Sequence, residues 1–296
     1  MASIQSKLFT ILLRLIQKKQ FLKRQLAAGA TNAFTSPEPP SQLSKVCQVE
    51  KWLMNGRNVF TLRPCHSPSP KHILYLHGGA YVQSFLRPHW SFMAKLIEGT
   101  HCTITAPDYP FAPQYTYTDA FAMVTKVYQE LAGRGKEAEI ILMGDSAGGG
   151  FALALAQYLR KESIVQPRQI ILLSPWLDIT LRNPEIKSLD AHDPFLGIEG
   201  LLQAGKAYAG QTSPDHYLLS PIYGSLQGLG KITVFAGSHE IMAADTRKLK
   251  TLAESAGTDL IYMEYPAMVH TWMLLNFPES KRARQQIIQV VKTGNV

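Results

Sequence analysis

Gly144-Asp145-Ser146-Ala147-Gly148 is the segment of this sequence whose residue types most directly suggest chemistry, and it ends the apolar run EIILMGD. Its pattern, G-x-S-x-G, is typical of a serine held in a sharp turn between a strand and a helix, with its hydroxyl exposed as a nucleophile. The glycines are needed because a side chain two residues to either side would collide with neighbouring backbone. Alone, the pattern also fits an ordinary glycine-rich turn, so other groups must support the hypothesis.

A possible oxyanion hole comes from the segment LHGGAY, which follows an earlier apolar run and contains Gly78 and Gly79. Glycines let the main chain approach a bound ester closely enough for backbone N–H groups to donate to its carbonyl oxygen. The residue after the nucleophile supplies another donor in such sites. We therefore predict that the N–H groups of Gly78, Gly79 and Ala147 form this oxyanion hole.

A base and an acid follow the serine in the chain order Ser, acid, His. His270 lies in YPAMVHTW, directly after the last apolar run, and the segment VFAGSHEIMAAD offers Glu240 and Asp245 as acids. Glu240 comes three residues after Gly237, at the end of a strand, whereas Asp245 falls inside the next helix. We therefore predict Glu240 as the partner of His270, with Asp245 as the alternative.

The elements that must position these residues are short strands alternating with helical stretches. Six apolar runs bounded by Gly, Pro or Asp predict strands buried on both faces: HILYLHG, CTITAPDY, EIILMGD, QIILLSPW, KITVFAGS and LIYMEYP. Two earlier runs, KVCQVEKWLM and NVFTLRP, are separated by Asn-Gly and predict an antiparallel hairpin at the sheet edge. The sequence therefore predicts an α/β fold with a mostly parallel eight-stranded sheet, helices on both faces, and a site beyond the carboxyl ends of the strands.

The composition is that of a globular protein, with 46% hydrophobic and 18% charged residues in 296. The net charge of +8 is concentrated in residues 1–37, which hold six Lys and Arg and no acidic residue. Because the rest is nearly balanced, we expect no nucleic-acid partner. Cys47, Cys65 and Cys102 are odd in number and lack C-x-x-C spacing, so we expect reduced thiols, no metal site and a cytoplasmic location.

The basic leader also has the pattern of an amphipathic helix. Apolar side chains recur in it at helical spacing: Ile4, Leu8, Leu12, Leu15 and Ile16. Basic side chains share another side of that helix: Lys7, Arg14 and Lys18. The segment is too short and too charged for a transmembrane helix and lacks the cleavage site of a signal peptide. We expect it to pack on its own domain, with contact to a membrane surface as the alternative.

The sequence resembles the hormone-sensitive-lipase-like esterases of the α/β-hydrolase superfamily. Seven segments occur in the order of that family, from about Lys71 to Trp272: HGGAY, PDYPFAP, GDSAGG, SPWLD, DPFL, GSHEIMAAD and YPAMVHTW. The resemblance implies the triad of Ser146, Glu240 and His270, and carboxylesterase activity on small acyl esters without a metal or organic cofactor. It also implies a helical cap, built from helices in residues 1–45 and from an insertion at about 180–208 of a catalytic domain spanning 46–296.

The sequence departs from the family pattern at four positions. Ala80 stands where the family has the third glycine of the oxyanion loop, and Glu240 stands where the family usually has Asp. Pro110 and Gln114 replace the Arg and Glu of the family block DYRLAPE, so we expect any ion pair that the family makes there to be absent. None of these changes removes a reacting group.

Substrate preference is expected to depend on side chains around the serine, and the predicted binding residues are Tyr81, Phe195 and Trp272. Other candidates in or near the cap are Phe85, Leu196 and Tyr208. We predict hydrolysis of short- to medium-chain esters through an acyl-enzyme. The same triad could serve an amidase or formamidase, and the basic leader keeps a membrane-surface lipase open. A ligand receptor on this fold would lack the histidine, which is present here as His270.

Overall fold

The computed structural model of the chain describes residues 2–30, 34–133 and 139–296. Eight strands form one sheet in the order β1-β2-β4-β3-β5-β6-β7-β8. Their bounds are β1 Cys47–Met54, β2 Arg57–Pro64, β3 Lys71–Leu76, β4 Thr103–Pro107, β5 Glu139–Asp145, β6 Gln169–Leu173, β7 Lys231–Gly237 and β8 Leu260–Tyr265. β1, β2 and β4 pair antiparallel, and all other pairs are parallel. The predicted mostly parallel eight-stranded sheet is therefore confirmed.

Helices cover both faces of this sheet. Their bounds are α1 Ile4–Leu15, α2 Phe21–Ala27, α3 Arg87–Thr100, α4 Tyr117–Ala132, α5 Ala147–Lys161, α6 Glu185–Asp190, α7 Ile198–Ala209, α8 Ala243–Ala256 and α9 Pro278–Thr293. Short 3₁₀ turns lie at Lys18–Gln20, Ser41–Lys45, Pro221–Tyr223 and Trp272–Leu274. The edge hairpin turns through Asn55 and Gly56, both at positive φ, as its Asn-Gly sequence predicts.

Two apolar cores lie on the two faces of the sheet, because successive side chains of a strand point to opposite sides. On β3, Leu74 and Leu76 join the core that includes α4, α5 and α8. Ile73 and Tyr75 join the other core, with α3 and α9. The inner strands are therefore buried on both faces, and this explains why they appear in the sequence as continuous apolar runs.

A helical cap, which we call the roof, covers the carboxyl edge of the sheet. It consists of residues 18–27 together with α6 and α7. The segments meet closely: a Cβ atom placed on Gly197 would lie 2.0 Å from the carbonyl oxygen of Lys19. Lys19 Nζ also lies 2.6 Å from Asp190 Oδ1, and Lys23 Nζ lies 2.7 Å from Glu199 Oε1. The roof is thus built by two segments that are far apart in the sequence.

The leader helix α1 packs on its own domain, but not through its apolar stripe. It contacts the α9 region through its other side, where Ser6 and Leu13 are buried and the Phe9 ring lies 5.2 Å from that of Phe277. Ser3 Oγ fixes the start of the helix by donating to Glu279 Oε2 at 2.8 Å. The apolar stripe faces away from the protein. Among the described residues, no helix has the length and apolar character needed to cross a membrane.

Candidate active site

Ser146 occupies a sharp turn between β5 and α5, with φ 53° and ψ −121°. The neighbouring glycines are required by close backbone approach, because a Cβ atom on Gly148 would lie 2.0 Å from the carbonyl oxygen of Leu76. One on Gly144 would lie 2.2 Å from the carbonyl oxygen of Gly148. A non-glycine residue at positive φ stores strain. The turn is therefore held by its packing against β3 rather than by the preference of the serine.

Ser146, His270 and Glu240 form one chain of hydrogen bonds, and all three side chains are buried. His270 Nε2 lies 2.8 Å from Ser146 Oγ, and His270 Nδ1 lies 2.5 Å from Glu240 Oε2. A carboxylate only accepts hydrogen bonds, so Nδ1 carries the proton that it donates to Glu240, and Nε2 is left to accept from the serine. This tautomer can take the hydroxyl proton of Ser146.

The second oxygen of Glu240 has two donors of its own. Ser174 Oγ donates to Glu240 Oε1 at 2.8 Å, and the N–H of Gly237 donates to it at 2.7 Å. Ser174 in turn accepts from the N–H of Thr271 at 3.1 Å, next to His270. Ser174 therefore ties the acid to the loop that carries the base. Sequence reasoning did not single it out, although it directly follows β6 in the SPWLD segment.

Asp245, the alternative acid, lies elsewhere. It is in the first turn of α8, where its Oδ1 accepts from Asn183 Nδ2 at 3.0 Å. Its Oδ2 is buried without a hydrogen-bond partner in the described part of the chain. Burial raises the pKa of Asp245 to about 6. Of the two candidate acids, only Glu240 hydrogen-bonds to His270 within the described ranges.

The loop after β3 differs from our prediction at Gly78, whose N–H donates to Asp145 Oδ1 at 3.0 Å. Because this N–H is already paired, it is not free for a substrate oxygen, and the predicted role of Gly78 as donor is wrong. Gly79 and Ala80 line the cavity above Ser146, and in the described residues their N–H groups have no hydrogen-bond partner. Ala80 has φ 53° and Gly79 φ 125°, which turns the loop over the serine.

Asp145 is the anchor of this loop. Besides Gly78, its Oδ1 accepts from the Tyr75 hydroxyl at 2.6 Å, and its Oδ2 lies 3.4 Å from His89 Nε2. Burial alone would raise the pKa of Asp145, but the neighbouring His89 and the hydrogen bonds from His89, Tyr75 and Gly78 together lower it below its ordinary value. Asp145 thus holds this loop in place, and in the described residues it makes no hydrogen bond to Ser146 or His270.

An ion pair does support the DYPFAP segment, although the family Arg is replaced by Pro110. Arg57, on β2, places one guanidinium nitrogen 2.9 Å from Asp108 Oδ2, and its Nε donates to the Asp108 carbonyl oxygen at 2.9 Å. Tyr109 donates to the carbonyl oxygen of His77 at 2.6 Å, and its ring stacks on the His77 imidazole with centres 4.4 Å apart. Arg57 and Asp108 thus form an ion pair in this segment that is distinct from any pair between positions 110 and 114, which hold Pro110 and Gln114 here.

A cavity of about 160 Å³ opens above Ser146 and His270. Its apolar lining comes mainly from the roof and the loop after His270: Phe21, Leu22, Phe195, Leu196, Leu201, Leu274 and Leu275. The Phe195 ring centre lies 5.8 Å from that of His270. Phe195 and Leu196 are therefore placed where we predicted substrate contacts.

The other two predicted binding residues lie in the cores rather than on the cavity wall. Tyr81 stacks on Tyr208 with ring centres 3.9 Å apart, and both are buried. Trp272 is buried with its ring centre 5.0 Å from that of Tyr265. Phe85 packs against Trp90 with ring centres 4.4 Å apart. Neither Tyr81 nor Trp272 lines the cavity, so substrate contact by these two side chains is contradicted.

Lys18 is a cation on the cavity wall. Its Nζ lies 4.2 Å from the ring centre of Phe21 and 5.0 Å from that of Phe195, and burial lowers its pKa. It forms no ion pair with a carboxylate among the described residues.

In the same ranges, no three His, Cys, Asp or Glu side chains are grouped so that they could hold a metal ion.

Comparison with known proteins gives a consistent result. A family model for the alpha/beta hydrolase fold matches residues 73–274, a range that contains Ser146, Glu240 and His270. An esterase of Acinetobacter venetianus is 34% identical over 221 residues, covering 73% of this chain and 73% of that protein. An acetyl-hydrolase of Streptomyces hygroscopicus is 31% identical over 214 residues, covering 71% and 72%. A crystal structure of an esterase from the bacterial hormone-sensitive lipase family has a TM-score of 0.81 at 26% identity, covering 99% of each chain.

Proposed function

The chain belongs to the α/β-hydrolase family, in its hormone-sensitive-lipase-like group of serine carboxylic ester hydrolases, and on this premise we propose how its own residues carry the reaction. Ser146 is the nucleophile, His270 the general base and Glu240 the residue that orients the base. The observation that carries this proposal is the continuous hydrogen-bond chain between these three side chains, with distances of 2.8 and 2.5 Å.

In the first step, Ser146 Oγ attacks the ester carbonyl carbon while its proton moves to His270 Nε2. The imidazole becomes a cation, which the adjacent carboxylate of Glu240 stabilises. The two donors on Glu240 Oε1, from Ser174 and Gly237, keep the other oxygen pointed at Nδ1. The acid therefore stays in place while the charge on the ring changes.

The negative charge that develops on the former carbonyl oxygen needs preorganised donors. The N–H groups of Gly79, Ala80 and Ala147 are suited to this role, since the first two line the cavity and the third begins α5. The N-terminus of α5 adds its positive field at the same point. In this proposal Ala80 replaces Gly78 as the third donor.

Breakdown of the tetrahedral intermediate releases the alcohol, which takes the proton from His270 Nε2, and leaves the acyl group on Ser146. Water then attacks the acyl carbon, gives a proton to the same nitrogen, and a second intermediate releases the acid and restores the serine. Every proton passes through Nε2, so the cycle requires the tautomer that Glu240 fixes.

Short- to medium-chain acyl esters suit the cavity best. Its lining is mainly apolar, and its volume of about 160 Å³ is small beside the range of roughly 300 to 1,000 Å³ usual for sites of drug-sized ligands. Leu201 of α7 and Leu22 of α2 close it from the roof side. Longer chains would have to displace these roof residues.

The test is a series of p-nitrophenyl esters from acetate to palmitate, measured on wild type and on Ser146→Ala. We expect kcat/KM to be highest for the short and middle members and a burst of p-nitrophenol before the steady rate, as an acyl-enzyme requires. Ser146→Ala should lower kcat by about 100,000-fold. Ser255→Ala, at an exposed serine of α8, is the matched control and should leave kcat unchanged. Activity of Ser146→Ala within tenfold of wild type would overturn the assignment of the nucleophile.

A further inference from the structure

The outer face of α1 is an unusual surface for a globular protein, because six large apolar side chains of one short segment are exposed together. They are 49% to 75% exposed: Ile4, Leu8, Ile11, Leu12, Leu15 and Ile16. In the described ranges no other helix has more than one exposed large apolar side chain. Contiguous apolar surface of this kind marks an interaction site, whereas single exposed apolar residues do not.

The orientation of this face is fixed by contacts on the opposite side of the helix. Leu13 and Ser6 are buried there, Phe9 contacts Phe277, and Ser3 bonds to Glu279 through both its N–H and its hydroxyl. The helix therefore cannot turn its stripe inward without losing these contacts. The outer face of α1 is left for a partner outside the chain.

Charge decides which partner fits. Lys7 and Arg14 are exposed on one flank of the outer face, and neither forms an ion pair with a carboxylate in the described residues. No acidic residue precedes Glu38 in the sequence. In a symmetric pair of chains, these cations would face one another without counterions. Anionic phospholipid headgroups complement them, and acyl chains accept the leucines and isoleucines.

The outer face of α1 also adjoins the cavity along the chain. Ile16 ends the exposed stripe, and two residues later Lys18 lines the cavity, followed by Phe21 and Leu22. Phe34, which is 67% exposed, contacts Phe21 with ring centres 5.4 Å apart. Apolar surface thus continues from α1 to the segment that roofs the site.

We propose that α1 is an interfacial anchor that docks the enzyme on membranes containing anionic phospholipids, with its outer face in the headgroup region. This proposal rests on the proposed function in one respect only: the purpose of docking would be to bring the cavity to esters dissolved in the lipid. The docking itself requires no catalysis. The apolar face supplies affinity for the bilayer, and Lys7 and Arg14 supply the preference for negative charge.

The first experiment measures cosedimentation of the full chain with vesicles of phosphatidylcholine alone or mixed with phosphatidylglycerol. Wild type should bind the mixed vesicles. Leu8→Gln/Leu12→Gln should weaken binding by tenfold or more, because two apolar side chains no longer enter the bilayer. Leu53→Gln/Val165→Gln, at residues that are 66% and 72% exposed elsewhere, is the matched control and should bind like wild type.

A second pair of variants tests the charge. Lys7→Gln/Arg14→Gln should bind mixed vesicles roughly twentyfold more weakly, while Lys187→Gln/Lys206→Gln, at exposed lysines of α6 and α7, should not differ from wild type. All variants should retain hydrolysis of soluble p-nitrophenyl acetate, which shows that they are folded.

Three outcomes would overturn the anchor. Wild type that never binds mixed vesicles excludes it, and so does binding that survives Leu8→Gln/Leu12→Gln. A dimer in solution that this variant dissociates, without vesicle binding, would assign the face to a second copy instead. If soluble esters are not hydrolysed but vesicles are bound, the proposed function fails and the anchor stands.

Discussion

Two of the buried carboxylate and histidine pairs in the described residues, Glu240–His270 and Asp145–His89, lie beside Ser146 and differ in what the second nitrogen of the imidazole does. In the Glu240–His270 pair, Nδ1 faces the carboxylate and Nε2 faces the serine hydroxyl. In the Asp145–His89 pair, Nε2 faces the carboxylate, and Nδ1 accepts from the N–H of Leu86 at 2.9 Å. Both pairs are shielded from water, but only the first has a nitrogen left for chemistry.

The difference shows that burial and a carboxylate do not make a histidine a catalytic base. The second nitrogen of His89 accepts a hydrogen bond from the backbone at the start of α3. Asp145 accepts hydrogen bonds from the Tyr75 hydroxyl and the N–H of Gly78. That pair holds the loop after β3 against the turn that carries Ser146. Loss of the first pair should therefore affect turnover, and loss of the second should affect stability more than turnover.

Glu240→Gln should have the largest effect. The oxygen of the new amide can still accept from Ser174 and Gly237. Its NH₂ group would donate to His270 Nδ1, so the imidazole proton would move to Nε2. A protonated Nε2 cannot accept a hydrogen bond from Ser146. We expect kcat to fall by about 1,000- to 10,000-fold with the thermal midpoint nearly unchanged. Steady-state kinetics on p-nitrophenyl acetate and circular dichroism melts measure the two quantities. A kcat within tenfold of wild type would exclude Glu240 as the acid.

Asp145→Asn should reverse that pattern. The amide oxygen can keep the hydrogen bonds from Gly78 and Tyr75, but the charge that faces His89 is lost and an NH₂ group takes its place. We expect the free energy of unfolding to fall by about 2 kcal/mol and kcat/KM to fall about tenfold, through the displaced loop. Urea unfolding and steady-state kinetics test this. A loss of kcat as large as that of Glu240→Gln would show that the two pairs cannot be separated.

The pH dependence of stability should show a smaller effect from the same carboxylate. The pKa of Asp145 in the folded protein is below its ordinary value, so its contribution to stability is complete above about pH 4 and is lost as the pH falls through the folded pKa. Unfolding free energies measured below pH 4 should therefore fall less steeply for Asp145→Asn than for wild type. Equal slopes would contradict the lowered pKa.

Asp245→Asn should have the smallest effect on activity, with kcat/KM unchanged. Burial raises the pKa of Asp245 to about 6, so the ionised form destabilises the fold above that pH, and stability is gained as the pH falls from 6 towards 4. The amide oxygen can keep the bond from Asn183. We expect the free energy of unfolding at pH 8 to rise by up to about 1 kcal/mol. An inactive Asp245→Asn enzyme beside an active Glu240→Gln enzyme would exchange their roles.

The fold and the meeting of Ser146, Glu240 and His270 in space could be predicted from the sequence because each signal is local. The strands are continuous apolar runs, and Ser146, Glu240 and His270 each follow one of them closely. Parallel strands end at the same edge of the sheet, so residues that follow them meet in space. Sequence spacing was therefore enough to predict that Glu240, rather than Asp245, lies beside His270.

Features that depend on contacts between distant segments could not be read in this way. The N–H of Gly78 donates to Asp145, which lies 67 residues away in the sequence. The sequence around Gly78 gives no indication of this hydrogen bond. Tyr81 follows the loop but turns into the core against Tyr208. The stripe on α1 was visible in the sequence, but only its contacts with α9 show that the stripe points outward.

The roof gives the protein a modular route to new substrates. Residues 18–25 supply part of the cavity wall but no strand of the sheet and none of the three proposed catalytic residues, and their backbone lies close to Gly197. Replacing residues 2–30 by the corresponding segment of a relative would thus change part of the cavity wall and the outer face of α1 together. Provided that residue 197 remains glycine, both specificity and location could diverge while the catalytic centre is inherited unchanged.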